Sequence, residues 1–342
     1  MWALLTLLIA VLTLRAVFSA AGDLTPTEIF GALEQASPLW LGASLLCMTG
    51  FIVLEGLALL YLLRHLHCPR GFFRGLRYSA ADQFFSAITP SATGGQPAAA
   101  LVMRNHQVPG GVITAALLLN LVLYTAATLT IGVVCLIWKP GVFLTFGGFA
   151  KALIVFGMVA LTGLTLLFLG LLKRGELLSR LGWQLFRFLH QLHLMRDPDR
   201  WSRRLGHMAE EYGTCARAMA GKPAVLVTVF LLNLAQRIAQ ITVPLTLHCA
   251  MGGSLGAEGA ELWVVQALAQ IGSNCVPIPG GMGAAEYLML DGFGHLFSDG
   301  YAYQLQILSR GVSFYVCTLV SGLIVLIGFL SGRFQALREK ER

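Results

Sequence analysis

The stretch NCVPIPGGMGAAEYLML, Asn274 to Leu290, decides how this chain folds. It lies inside an apolar segment, yet two prolines and three glycines break it. A helix cannot run through such a sequence without a stop, because proline lacks the N–H and glycine weakens the helix interior. A second stretch, TPSATGGQPAAALVMR from Thr89 to Arg104, has the same build. Two prolines flank a Gly94–Gly95 pair, with hydroxyls and an amide beside it. Irregular backbone in hydrocarbon leaves N–H and C=O groups unpaired, at a cost of several kcal/mol each. Both breaks must therefore be buried in protein or line a water-filled cavity.

The rest of the chain sets the depth at which those breaks sit. Of its 342 residues 56% are hydrophobic and only 12% charged, against about a quarter charged in soluble domains. Apolar runs of about 20 residues, enough for a hydrocarbon core of roughly 30 Å, recur along it. Spans are expected at Met1–Ala20, Leu39–Leu63, Gly110–Trp138, Ala150–Leu172, Lys222–Cys249 and Ser309–Leu330. The first is read as a retained helix and not a signal peptide, because it lacks a basic leading region. The broken segments 79–104 and 262–293 remain to be placed.

Charge places them. Lys and Arg number four in 64–77, ten in 173–222 and four in 333–342, with Arg104 besides. Residues 21–38, 250–261 and 293–307 hold none. The positive-inside rule puts the rich loops in the cytoplasm. Six spans satisfy it only if neither broken segment crosses. Limbs of about 10–15 residues then reach the midplane and turn back. The expectation is an all-α polytopic membrane protein with six spanning helices and two opposed re-entrant hairpins. The order span, hairpin, span recurs over 39–138 and 222–330, an inverted repeat. The first half covers 1–172 and the second 223–342. Between them, 173–222 forms a cytoplasmic linker whose Leu181, Leu185, Phe188, Leu192 and Met195 follow the spacing of an amphipathic helix. The location implied is a prokaryotic plasma membrane with both termini cytoplasmic.

Function follows from what meets at the two breaks. A helix restarting after each Gly-Gly pair points free N–H groups into the cavity, a ready anion site. Candidate headgroup-binding residues are Ser91, Thr93, Gly94, Gly95, Gln96 and Arg104 in the first hairpin. In the second they are Asn274, Gly280, Gly281, Gly283 and Glu286, and on the fifth span Arg237 and Gln240. An ionisable group at mid-membrane is costly and marks function. Glu55, central in the second span, is the expected partner of Arg237. Arg310 is read at the start of the last span, where its side chain can reach the interface. Seven scattered cysteines and eight histidines show no metal-ligand spacing, so no cofactor or metal is expected. The net charge of +7 lies beside spans and suits anionic lipid, not nucleic acid. No nucleophile–base pair stands out, so no enzymatic activity is expected.

The motif PIPGGMGAAE, Pro277 to Glu286, resembles the P-x-P-G-G-x-G-x-x-E signature of the lysylphosphatidylglycerol synthase/flippase transmembrane family. PSATGGQPAAALVMR is similar to its first motif but departs from it. Relatives often carry Glu after the glycines and Arg a turn later, where this chain has Gln96, alanines and then Arg104. The resemblance implies a carrier that moves a phosphate-bearing lipid, phospholipid or polyprenyl type, between leaflets. A soluble aminoacyltransferase domain follows in full-length relatives. With Arg342 as the last residue, no synthase activity is expected, although a separate lipid-modifying transferase and a homo-oligomer are compatible partners. A secondary transporter of a small polar solute, or an accessory subunit or enzyme of lipid modification, are the alternatives.

Overall fold

The computed structural model describes residues 36–89, 94–173, 219, 221–274, 276 and 281–340. The expected helix at Met1–Ala20, most of the linker 173–222, and the tip residues Ser91, Thr93 and Gly280 lie outside them. Among the described residues every regular element is helical. Among them, five helices are long and apolar enough to cross a membrane. These are α1 (Pro38–His65), α4 (Gly110–Trp138), α6 (Gly148–Lys173), α7 (Pro223–Ala250) and a continuous run over Asp299–Ser331. Proline stands in the first turn of both α1 and α7, where its missing N–H leaves no partner unpaired. Their outer faces stay apolar and uncovered, as at Leu39, Ile137 and Leu323, which suits lipid as the surrounding solvent.

The broken segments form two helical pairs. α2 (Phe72–Ile88) packs on α3 (Gly95–Asn105), and α8 (Ala257–Ser273) on α9 (Ala284–Gly294). α2 and α8 each have 17 residues, α3 and α9 each 11, and the spans before them, α1 and α7, each 28. The first limbs exceed the expected 10–15 residues because each starts farther out; α2 takes in Arg74 and Arg77. α8 is buried nearly all round, from Leu262 to Ser273, so its apolar character reflects protein around it. Gly157 of α6 allows that closeness: a Cβ there would collide with the Ile271 carbonyl.

Each pair begins and ends at one end of the bundle. Arg70, just before α2, donates to the carbonyls of His106 and Gln107, just after α3, at 3.2 and 3.4 Å. Lys222 Nζ donates to the His65 carbonyl at 3.5 Å, and Arg77 to Ser331 Oγ at 3.1 Å, so the basic loops gather there. At the opposite end Lys139 pairs with Glu261 of α8 at 2.8 Å. Gly147 N–H, beyond the short α5 (Pro140–Thr145), donates to Asp291 of α9 at 2.8 Å.

One expectation is corrected. The last span starts at Asp299, ten residues before Ser309, as α10 (Asp299–Arg310), a π-helical turn (Gly311–Val316) and α11 (Cys317–Lys340). Tyr303, Gln304 and Gln306 lower the hydropathy of α10, although Gln306 is buried together with Ala302, Leu305 and Leu308. Arg310 is therefore interior to a long span and does not start one.

Two apolar clusters hold the bundle. One gathers Met48, Phe51 and Ile52 of α1, Ile241 to Leu247 of α7, and much of α8 and α9. The other gathers Ala58 to Leu63 of α1, Ile113 to Leu119 of α4 and Val225 and Val229 of α7. Between them, at mid-length of three spans, lies a polar layer: Glu55, Asn120 with Tyr124, and Asn233 with Gln236 and Arg237.

Candidate functional site

The polar layer opens into a cavity of about 550 Å³. Both helical pairs reach it. Asp82, Gln83, Ser86 and Gln96 come from the first, and Gln266, Gln270, Asn274 and Gly281 from the second. α1 adds Phe51 and Glu55, α4 Asn120 and Tyr124, and α7 Arg237 and Gln240. Leu121, Leu161, Leu164 and Phe314 make part of the wall apolar. Of the expected site residues, Gln96, Arg237, Gln240, Asn274 and Gly281 are thus brought together.

Arg237 is 2% exposed. Its guanidinium donates through one terminal nitrogen to Gln240 Oε1 at 2.7 Å. It lies over the Tyr124 ring at 4.0 Å and near the Phe51 ring at 4.9 Å, two cation–π contacts worth about 0.5–2 kcal/mol each. Its Nε has no partner. The expected contact with Glu55 is not made: among the described residues no ion pair joins them. Glu55 is instead held by neutral donors. Ser79 Oγ donates to Glu55 Oε2 at 3.1 Å, Gln236 Nε2 at 3.3 Å, and Gln83 Nε2 donates to the same oxygen. The guanidinium is drawn to the two rings and Gln240, and these donors already fill the carboxylate's near side.

The two helix N-termini expected to bind an anion carry acids of their own. Glu286 Oε2 accepts the Gly283 N–H at 2.6 Å, capping α9 from within. Its other oxygen accepts from Arg310 Nε at 2.6 Å. Glu286 therefore pairs with Arg310 and does not line the cavity, although Arg310 does. Gly281 and Gly283 have φ of +62° and +80°, a left-handed turn that favours glycine, as the broken sequence implied. In the first pair Asp82 lies beside the start of α3 but is held by side chains. Gln96 Nε2 donates to Asp82 Oδ2 at 2.9 Å, and Ser86 Oγ to Oδ1 at 3.2 Å. A Cβ on Gly95 would run into that carboxyl, so Gly95 serves the close approach of α3 to α2. Gly94 N–H is taken by Thr89 Oγ1 at 2.9 Å. Among the described residues the cationic side chains in the cavity wall are Arg237 and Arg310.

Arg104 does not belong to the site. It lies exposed in the last turn of α3, at the basic end, and is not in the cavity wall. α3 starts at the hairpin tip, so ten residues of helix carry Arg104 about 15 Å away from it. Asn120 holds helices together as its type suggests, accepting from Asn233 Nδ2 at 3.0 Å. Sequence reasoning missed Asp82, Gln83 and Gln236. An aspartate inside an apolar stretch, in YSAADQFFSAI, was the available signal for the first.

Residues 2–321 match the family model described as the lysylphosphatidylglycerol synthase TM region, and the chain belongs to that family. Membership points to a lipid-related function in a multi-pass membrane protein. No protein of curated function matches the chain.

Proposed function

We propose that this protein carries a phosphate-bearing lipid between the leaflets of a prokaryotic plasma membrane and does not itself catalyse a reaction. The headgroup passes through the polar cavity while the acyl chains stay in the bilayer. One observation carries this reading: a fully buried arginine, Arg237, faces the cavity with no ion-pair partner among the described residues. A phosphate offers a guanidinium the bidentate charge-assisted contacts that Gln240 and two aromatic rings cannot. The cavity volume falls in the range of small-molecule sites, and its mixed wall suits a headgroup joined to apolar chains.

In this reading the two helical pairs are re-entrant hairpins that dip from opposite faces, and the chain is an inverted repeat. The matched lengths of 28, 17 and 11 residues in the two halves support it. So does the return of each pair to the end where it began. The basic end is the cytoplasmic one by the positive-inside rule, which puts both termini inside. Repeat interfaces at mid-membrane are where such folds bind their cargo.

The test is leaflet exchange in proteoliposomes containing fluorescent phosphatidylglycerol, with an impermeant reductant scoring the outer leaflet. Exchange above that of empty vesicles is expected, and its loss in Arg237→Gln. Equal exchange with and without protein, over anionic and zwitterionic phospholipids alike, sinks the reading.

A further inference from the structure

Two carboxyls meet in the cavity wall. Glu55 on α1 is 4% exposed and Asp82 on α2 is 7%; no other acid is buried among the described residues. Ser79, Asp82, Gln83 and Ser86 fall at i, i+3, i+4 and i+7, one face of α2. Ser79 and Gln83 both donate to Glu55, so Asp82, between them on that face, is set against the same carboxyl, within hydrogen-bonding reach. The other titratable groups facing the pair are Tyr124 of α4, Arg237 of α7 and Cys317 of α11, while α3 contributes only the neutral Gln96. Arg237 makes an ion pair with neither acid.

Two carboxylates at such range in a low dielectric cannot both stay ionised, so the pair keeps a proton between them. A metal ion is the poorer occupant. The groups turned toward Glu55 are an O–H and two amide N–H donors, which repel a cation and all reach Oε2, so the shared proton falls to the other oxygen, Oε1. The cavity shows a second mark of a binding site: Arg237 Nε and Gln266 Oε1 are buried in its wall and have no partner.

We propose that Glu55 and Asp82 form a proton-carrying site which works with Arg237, so that lipid carriage is coupled to proton movement. With the cavity free of headgroup, the singly protonated pair carries one negative charge and balances Arg237. A phosphodiester on Arg237 adds one more negative charge, and a second proton on the pair restores neutrality. An O–H bond forms on the remaining carboxylate with a proton taken from water at one membrane face. That bond breaks toward water at the other face when the headgroup leaves, and no other atom is exchanged. Unbalanced charge in this setting is costly, which ties the two events together. The inference rests on the lipid-carrier reading for its cargo but not for its proton.

Two measurements test it. Infrared spectra of the purified protein at neutral pH, in a detergent without carbonyl groups, are expected to show an un-ionised carboxylic acid band that shifts in heavy water. The band is expected to vanish in Glu55→Gln/Asp82→Asn. No band in the wild type, or the same band in the double variant, overturns the proton site. In proteoliposomes with fluorescent phosphatidylglycerol, a gradient of about one pH unit is expected to bias leaflet distribution by up to about tenfold for one proton per lipid. Lipid exchange indifferent to the gradient overturns the coupling and leaves the carrier reading standing. No exchange at all overturns both carriage and coupling, while the infrared band still decides the pair.

Discussion

Consider Arg237→Gln. The substitution removes the charge but keeps a polar group able to meet Gln240. Its effect on folding can be set against its effect on cargo. A central arginine costs about 2.5–3.5 kcal/mol on insertion scales. Against that stand the contacts over Tyr124 and Phe51, about 0.5–2 kcal/mol each, and the charge-assisted bond to Gln240, about 1.5–3 kcal/mol. The opposing terms are of like size, and a second proton on the Glu55–Asp82 pair offsets the lost positive charge, so thermal stability is expected to change little. Binding is different. A lost charge-assisted contact to phosphate costs about 1.5–3 kcal/mol, or roughly 10- to 150-fold in affinity. Exchange of fluorescent phosphatidylglycerol, scored beside a thermal melt of the same sample, separates the two effects. Arg237→Lys keeps the charge without the fork and is expected to fall between wild type and Gln. Exchange within about twofold of wild type in a stable Arg237→Gln protein, against that predicted loss, refutes the assignment.

Other perturbations address the frame around the cavity. Arg310→Met leaves Glu286 without its ion-pair partner and is expected to cost about 1.5–3 kcal/mol by chemical denaturation in detergent. Adding Glu286→Gln to it should recover part of that loss. Gly157→Val forces a side chain into the Ile271 carbonyl of α8 and is expected to destabilise by about 1–3 kcal/mol or more, seen as a lower melting temperature. Single cysteines at Ala257 and His295 should label from one side of the membrane, and cysteine at His106 from the other. Labelling of Ala257 and His295 from opposite sides refutes the second re-entrant hairpin. His106, next to Tyr78 Oη at 3.0 Å, has its pKa pushed below 6.5 by burial and by Arg74, Arg77 and Arg70. It folds neutral, so the unfolded chain binds more protons as pH falls below 6.5, and stability falls with it. His106→Gln should lessen the loss of melting temperature between neutral and mildly acid pH.

The spans were legible because lipid imposes length and apolarity on them, and four described spans lie within about two residues of where hydropathy puts them. α10 was hidden for the converse reason. Its buried face mixes Ala302, Leu305 and Leu308 with Gln306 and Ser309, and Tyr303 and Gln304 dilute the average further, so the window missed the helix and misplaced Arg310. Arg237, Gln240, Gln96 and Asn274 were legible as polar groups at apolar depth. Their partners were not, because spacing along one helix says nothing about which helix faces it. Glu55 and Arg237 share a level on adjacent helices, yet rotation about those axes turns Glu55 to α2 and Arg237 to α4. Asp82 was missed because it stands about two turns before the proline and glycine break that drew attention to the segment.

That arrangement changes what the glycine motifs are for. A bare helix end attracts any anion weakly, by about 0.3–1 kcal/mol when exposed. Here Glu286 takes the Gly283 N–H at the start of α9, and Thr89 takes the Gly94 N–H at the start of α3. The turns therefore also set an acid beside each helix start, Glu286 in one pair and Asp82 in the other. The two acids are then treated unequally. Glu286 is neutralised by Arg310 and sits outside the cavity, whereas Asp82 faces Glu55 and remains inside it. One half of the molecule thus holds its acid in an ion pair, and the other keeps two acids in the cavity wall. In the proposed proton-coupled carriage, only the half with the acid pair changes its charge as the cargo passes.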